Sequence, residues 1–193
     1  MACGTGKTLT ALWIKEKLLS KNTLVLLPSL SLLRQTVKNW NTHQRKQFKW
    51  LCVCSDKTVA RDKKNKDQWI NNLSDLDFSV TNELLKIKDF LSLPGDKVIF
   101  STYQSSDLIY DAQKIIKDFV FDLTIADEAH NCTGRFETYF GNILDDKKIK
   151  TFKKLFFTAT PKILSKKIKK KSEEKEIKVA SMDDKYLFGE VLH

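Results

Sequence analysis

Leu123-Thr124-Ile125-Ala126-Asp127-Glu128-Ala129-His130 is the stretch on which the reading of this chain turns. An apolar, β-branched run of strand length ends in two adjacent acids. Runs of the same character recur at residues 23–28, 49–54, 97–102 and 154–158, and the quoted stretch supplies a fifth at 122–127. Between them, 7–20, 31–44, 82–93 and 104–118 carry apolar residues at three- and four-residue spacing, which predicts helices. On the first of these, Leu9, Leu12, Trp13 and Leu19 form the expected apolar stripe, with Lys17 as its one interruption. Nearly continuous apolar strands alternating with helices predict an α/β fold: a doubly wound parallel sheet covered on both faces.

In such a sheet, sites form at the carboxyl ends of the strands. Asp127 and Glu128 would stand at that edge. A second element belongs there too. Met1-Ala2-Cys3-Gly4-Thr5-Gly6-Lys7-Thr8 runs straight into the first predicted helix. Gly4, Thr5 and Gly6 are small enough for successive backbone N–H groups to curl round a phosphate, and the helix adds its positive end. Lys7 can reach the β- and γ-phosphates of a nucleotide, and the Thr8 hydroxyl can ligate Mg²⁺. Gly6-Lys7-Thr8 closes a Walker A pattern whose first glycine falls on Met1. Taken singly, the loop could be a tight turn capped by Thr8, and the acids an ordinary helix start. Taken together at one sheet edge, they predict an ATP-hydrolysing core. Asp127 would hold Mg²⁺ opposite Thr8, and Glu128 would orient or deprotonate the attacking water.

The chain has 193 residues, 41% hydrophobic and 10% aromatic, enough for one domain with a full core. No apolar run reaches the roughly 18–20 residues of a membrane span, so no membrane partner is expected. The net charge of +10 favours polyanions. Most of that charge is lysine, the arginines being only Arg34, Arg45, Arg61 and Arg135, and an AT-rich genome would give the same bias. Cys3, Cys52, Cys54 and Cys132 show no metal-binding spacing, which fits a reducing, cytoplasmic compartment. Cys52 and Cys54 alternate on a predicted strand and would face the same way. Residues 56–77 are polar and irregular, an expected excursion from the sheet. Residues 166–178 are a charge run, expected as a solvated helix or loop. Leu187, Phe188, Val191 and Leu192 close the sequence with nothing after them to bury them.

At these residues the chain resembles the first RecA-like domain of superfamily-two, DEAH-box helicases and translocases. Residues 1–8 look like motif I, 27–36 like motif Ia, 101–105 like motif Ib, Asp127 to His130 like motif II, and 157–161 like motif III. Cys54-Ser55-Asp56, Thr133-Gly134, Ser181-Met182-Asp183-Asp184 and Tyr186-Leu187-Phe188-Gly189 narrow the likeness to the predicted helicases of single-polypeptide (type ISP) restriction–modification enzymes. The resemblance implies a RecA-like domain over 1–165 and a charged connector over 166–193. It implies ATP and Mg²⁺ as cofactors and nucleic acid as partner, DNA ahead of RNA. It assigns Gly4, Thr5, Gly6, Lys7 and Thr8 to the nucleotide, Thr8 and Asp127 to the metal, and Lys7, Asp127 and Glu128 to catalysis.

His130, Thr158, Ala159 and Thr160 would couple the nucleotide to the nucleic acid. Ser29, Arg34, Thr102 and Gln104 would contact the nucleic-acid backbone, the alternative being helix capping, by Ser29 or Ser31 for one helix and Ser101 or Thr102 for the next. Family members also have an apolar strand just before the phosphate loop, which this sequence lacks. They have a second RecA-like domain, whose arginine completes the ATP site. The 193-residue chain by itself is therefore expected to be a weak ATPase. The rival expectation is a truncated, catalytically incompetent remnant that still binds nucleotide or nucleic acid. A small kinase would need an arginine-bearing lid and would leave Thr158-Ala159-Thr160 without a role.

Overall fold

A computed structural model describes residues 6–54 and 80–190 of the chain. Its centre is a parallel sheet of six strands: β1 (Asn22–Leu27), β2 (Lys49–Val53), β3 (Val80–Thr81), β4 (Lys97–Thr102), β5 (Phe121–Ala126) and β7 (Thr151–Phe156). The order across the sheet is β3-β2-β4-β1-β5-β7, every pairing parallel. The predicted doubly wound fold is what forms. In β1, five of six residues are buried, and in β4 all six. That burial is why both strands read as continuous apolar runs rather than alternating ones.

Helices cover both faces. Val25, Leu27, Val98 and Phe100 face α1 (Lys7–Lys17) and α2 (Leu30–His43), where Ala11, Leu12, Leu33, Val37 and Trp40 meet them. Leu24, Leu26 and Ile99 face α3 (Leu84–Ser92) and α4 (Ser106–Ile115), packing on Ile87, Leu91, Ile109 and Ala112. Alternation along one strand thus feeds two cores.

Several boundaries differ from the sequence expectation. The first helix stops at Lys17, and its buried positions are Ala11, Leu12 and Lys15. Trp13 and Leu19 of the expected stripe are 45% and 73% exposed. Leu19 lies beyond the helix end at φ 52°, outside the helical period. Lys15 takes the apolar place by laying its stem inward, with Nζ 4.9 Å from the Phe48 ring centre. The last sheet strand begins at Thr151 rather than 154, because Phe152 and Lys153 are exposed at the sheet edge, and one phenylalanine among lysines makes no apolar run. The two-residue β3 has no sequence signature at all. The expected excursion at 56–77 lies outside the described residues, as do Gly4 and Thr5.

Residues after 165 dock back onto the body. The lysine-rich run begins as α5 (Lys166–Glu173), a helix with no buried residue. A short antiparallel pair then joins β6 (Gly134–Arg135) to β8 (Val179–Ala180). Beyond it, α6 (Lys185–Phe188) sets Leu187 and Phe188 against the α3–α4 core, with the Phe188 ring 5.1 Å from that of Phe156. Two of the residues expected to lack cover are therefore partly covered. Among the described residues, no helix is long and apolar enough to cross a membrane.

Burial disfavours the Lys15 ammonium and lowers its pKa, only partly offset by Asp96, 4.0 Å away. Because the folded state holds this proton less tightly than the unfolded one, the penalty is complete at neutral pH. It fades as pH rises through the lowered value towards 10.5. Lys15→Met, which keeps the stem volume, is expected to raise the melting temperature at pH 7, by an amount that shrinks towards pH 10. Thermal unfolding at both pH values checks it. A variant less stable than wild type at pH 7 would show that the Asp96 and Phe48 contacts outweigh the burial cost.

Candidate nucleotide site

The carboxyl ends of β4, β1, β5 and β7 lie side by side, and the chemistry-bearing residues gather on that edge. Gly6 enters α1 with φ 74°, a left-handed backbone that glycine adopts without strain. No side chain caps the helix and no acid stands in its first turn, so its first N–H groups are left for an anion to meet. Lys7 follows, half-buried.

At the end of β5 the backbone turns sharply. The Asp127 N–H donates to the Leu26 carbonyl at 2.9 Å, the Ala129 N–H to the Phe157 carbonyl at 2.8 Å, and the Phe157 N–H to the Ala126 carbonyl at 2.9 Å. Between these anchors Glu128 is held at φ 49°, ψ 48°. A non-glycine residue in that region costs on the order of 1 kcal/mol or more, and here the strain aims the carboxylate across the edge. Glu128 Oε1 lies 3.0 Å from Lys7 Nζ, and Oε2 lies 3.3 Å from His130 Nδ1. His130 Nδ1 is also 3.1 Å from Thr158 Oγ1 and 3.4 Å from Thr160 Oγ1. One ring nitrogen therefore faces three oxygens and can satisfy only one N–H bond at a time. The structure thus brings Lys7, Glu128, His130, Thr158 and Thr160 into one chain of contacts, with Ala159 half-buried between the two threonines.

Asp127 sits behind Glu128. Desolvation raises its pKa, opposed by the hydrogen bond its carboxylate accepts from the Glu128 N–H. A small pocket beneath the first turn of α1 is lined by Lys7, Thr8, Leu27, Trp40, Asp127 and Phe157. A larger cavity of about 410 Å³ lies elsewhere, between α5 and the segment 176–184, with Lys169, Lys178, Glu173 and Glu176 on its walls. Its mixed charges and distance from the strand ends make it a poor phosphate site, whatever its size.

Three positions escaped the sequence reading. The Tyr103 hydroxyl donates to the Asp127 carbonyl at 2.8 Å, the Trp40 Nε1–H to the Thr8 carbonyl at 2.9 Å, and the Asn131 amide to the Glu128 carbonyl at 2.9 Å. Each holds the backbone of a site residue. The two aromatics look like plain core in sequence, and only the polar tip betrays them.

The expected nucleic-acid contacts divide. Ser29 is the N-cap of α2, accepting the Leu32 N–H at 3.3 Å, and Arg34 is half-buried one turn on. The structure corrects Thr102, which is fully buried with its hydroxyl 2.9 Å from that of Ser105. The 3₁₀ turn Tyr103–Ser105 folds over the strand end and closes it off. In the same turn Gln104 keeps both side-chain amide atoms buried and without a hydrogen-bond partner.

A parallel sheet with a lysine-bearing phosphate loop and paired acids at its carboxyl edge defines a P-loop NTPase domain of the RecA-like kind. Residues 1–163 match the family model described as the type III restriction enzyme, res subunit, and the chain belongs to that family. Over 163 residues it is 35% identical to the probable helicase A859L of African swine fever virus (strain Badajoz 1971 Vero-adapted), and 32% identical to that of isolate Pig/Kenya/KEN-50/1950. The match covers 84% of this chain and 16% of each relative. Among solved structures it is similar to the ATP-dependent type ISP restriction–modification enzyme LlaBIII bound to DNA, with TM-score 0.74 and 35% identity over 99% of this chain. It is also similar to a nuclease-deletion mutant of the type ISP enzyme LlaGI in complex with a DNA substrate mimic, with TM-score 0.70 and 34% identity. This chain spans 13% and 17% of those two chains.

Proposed function

We propose that this chain is the ATP-binding domain of a nucleic-acid-dependent motor, a helicase or double-stranded DNA translocase that couples ATP hydrolysis to movement on DNA. The observation that carries the reading is the position of Glu128, which bridges Lys7 of the phosphate loop and His130 with its threonines. When bound, ATP supplies the phosphoryl group, and Mg²⁺ offsets the charge on its phosphates. Thr8 and Asp127 offer the hard oxygen donors that suit Mg²⁺. Among the described residues no three His, Cys, Asp or Glu side chains cluster into a metal cage. Such an ion would therefore rest on Asp127, Thr8 and the nucleotide's own oxygens.

The chain's residues then have distinct tasks. Lys7 exchanges the Glu128 carboxylate for the β- and γ-phosphates. Glu128, released, accepts a proton from the attacking water. His130 exchanges partners between Glu128 and the hydroxyls of Thr158 and Thr160, which transmits the state of the nucleotide along the segment after β7. Arg34, half-buried in the first turns of α2, is the remaining candidate for the DNA backbone, since the Gln104 amide is buried in the turn that covers Thr102. DNA rather than RNA is favoured because LlaBIII, which the chain resembles over 99% of its length, is bound to DNA. A second RecA-like domain in the longer protein would supply the arginine that completes the site. Cys52, Cys54 and Cys132, buried as thiols and not in disulfides, suit a reducing, cytoplasmic setting.

Binding of a fluorescent ATP analogue, with and without Mg²⁺, tests the reading. Lys7→Ala is expected to weaken that binding by at least about a hundredfold, in line with losing a charge-assisted contact of roughly 3 kcal/mol. Unchanged binding would place the nucleotide elsewhere.

A further inference from the structure

The lysine-rich helix α5 has two unlike sides. At 100° per residue, Lys166, Lys170, Lys167 and Lys171 fall within an arc of roughly 140°, and Ile168, Ser172 and Lys169 occupy the opposite side. The second side holds the helix to the body. Lys169 Nζ reaches both Asp183 oxygens, at 2.8 and 2.7 Å, and Ser172 and Lys169 border the cavity opposite Val179 of β8, Ser181 and Asp184. The first side has no partner: among the described residues, no carboxylate pairs with Lys166, Lys167, Lys170 or Lys171.

That arrangement opposes the helix's own stability twice. Lys166–Lys170 and Lys167–Lys171 are like charges at i,i+4, which repel. Lys166 and Lys167 also stand in the first turn, where the helix end is already positive and no acid offsets it. A polyanion laid along this face would relieve both conflicts, and the i,i+4 spacing of about 5–6 Å between side-chain roots lets neighbouring lysines meet separate phosphates.

The helix is also tied to the nucleotide site by a short, braced segment. Only four residues separate Thr160 from the Ser165 N-cap. The Lys162 carbonyl accepts from the Met182 N–H at 3.2 Å and from the Thr133 hydroxyl at 3.4 Å. The Leu164 N–H donates to Ser181 Oγ at 2.9 Å.

We propose that the Lys166–Lys167–Lys170–Lys171 face of α5 is a contact for the sugar–phosphate backbone of the duplex on which the protein acts, placed to move with the segment that carries Thr158 and Thr160. The inference rests on the reading of the chain as a DNA motor domain and adds a place where DNA is held. Being charge-based, the contact takes phosphates irrespective of base sequence.

The test compares three forms of the chain on a duplex oligonucleotide over a range of salt concentrations: wild type, K166Q/K167Q/K170Q/K171Q, and a control K114Q/K117Q/K147Q/K150Q. The control removes the same charge from exposed lysines near the opposite edge of the sheet. ATP-analogue binding is measured in parallel. The α5 variant is expected to bind duplex at least about tenfold more weakly at moderate salt. The slope of log affinity against log salt should be shallower by about 2–4, near 0.9 per lost phosphate contact. Nucleotide binding is expected to be unchanged, and the control should keep the wild-type slope. An α5 variant with wild-type slope and affinity overturns the proposal while leaving the motor reading intact. Equal losses in variant and control overturn it in favour of net charge alone. If wild type binds ATP but no duplex, the proposal falls together with the DNA part of the motor reading.

Discussion

Glu128→Gln is expected to keep ATP binding and to lose turnover by roughly two to four powers of ten, the range a positioned general base supplies. The change alters one charge and almost no shape. The Glu128 N–H still meets Asp127 Oδ1 at 3.0 Å, the backbone still enters the left-handed region, and the amide oxygen can still accept from Lys7. Only the proton acceptor is gone. The ion pair it breaks has a consequence of its own. Lys7 Nζ sits 3.0 Å from Glu128 Oε1, at a site where the two side chains are 11% and 25% exposed. Nucleotide must separate this pair before Lys7 can reach phosphate. A partly solvated pair contributes about 0.5–1 kcal/mol, so the glutamine variant should bind the ATP analogue up to about fivefold more tightly. Equilibrium binding and single-turnover hydrolysis with duplex present separate the two effects. Hydrolysis by the variant at the wild-type rate would take the proton-accepting role away from Glu128.

This pairing explains why so much of the site was legible in sequence. Phosphate binding needs small residues, then Lys7 and Thr8, in strict succession, and the carboxylates must follow a buried strand. Such demands act on consecutive residues and so leave a pattern. The buried strands β1, β4 and β5 were legible for a similar reason, since burial on both faces removes polar residues from the run. What stayed hidden is tertiary. Nothing local marks Tyr103 as the residue holding the Asp127 carbonyl, because its partner is 24 positions away. Thr102 was a candidate backbone contact, but whether a strand-terminal threonine is exposed depends on the turn that follows, and here that turn covers it. Lys15 breaks the hydrophobic pattern of α1 and is nonetheless 1% exposed, because its stem is apolar and Asp96 lies within reach of its tip.

The division between two cores also shows how the site is held. The α1–α2 core holds the first turn of α1 through Trp40, whereas the α3–α4 core holds the acid pair through Tyr103. Both aromatics are fully buried, and each extends one polar atom to a backbone carbonyl in the site. The strand ends between them set the distance from Lys7 to Glu128. A nucleotide that draws Lys7 away from Glu128 therefore acts between two well-packed bodies. The segment after β7, where Thr160 and residues 161–163 are exposed, is tied to residues 133, 181 and 182 rather than to either core.

Trp40 is where fold and site can be separated by experiment. It is 1% exposed, stacks edge-on against Phe48 and Phe100 with ring centres 6.1 and 5.3 Å away, and donates Nε1–H to the Thr8 carbonyl at 2.9 Å. Trp40→Ala removes the largest side chain of that core and leaves a cavity between α1, α2 and β4, at an expected cost of about 3–5 kcal/mol. Urea unfolding at pH 7 measures it, and a loss below about 1 kcal/mol would mean that the core closes over the gap. Trp40→Phe keeps most of the ring contact and drops the single hydrogen bond, so its stability cost should fall to roughly 1–2 kcal/mol. The effect on the site should not fall in proportion. Thr8 lies in the first turn of α1, beside Lys7, and the lost bond is the one that fixes that turn against α2. Weaker ATP-analogue binding in a Trp40→Phe protein that remains folded would locate the tryptophan's contribution in orienting the loop. Wild-type binding in the same protein would confine Trp40 to the core.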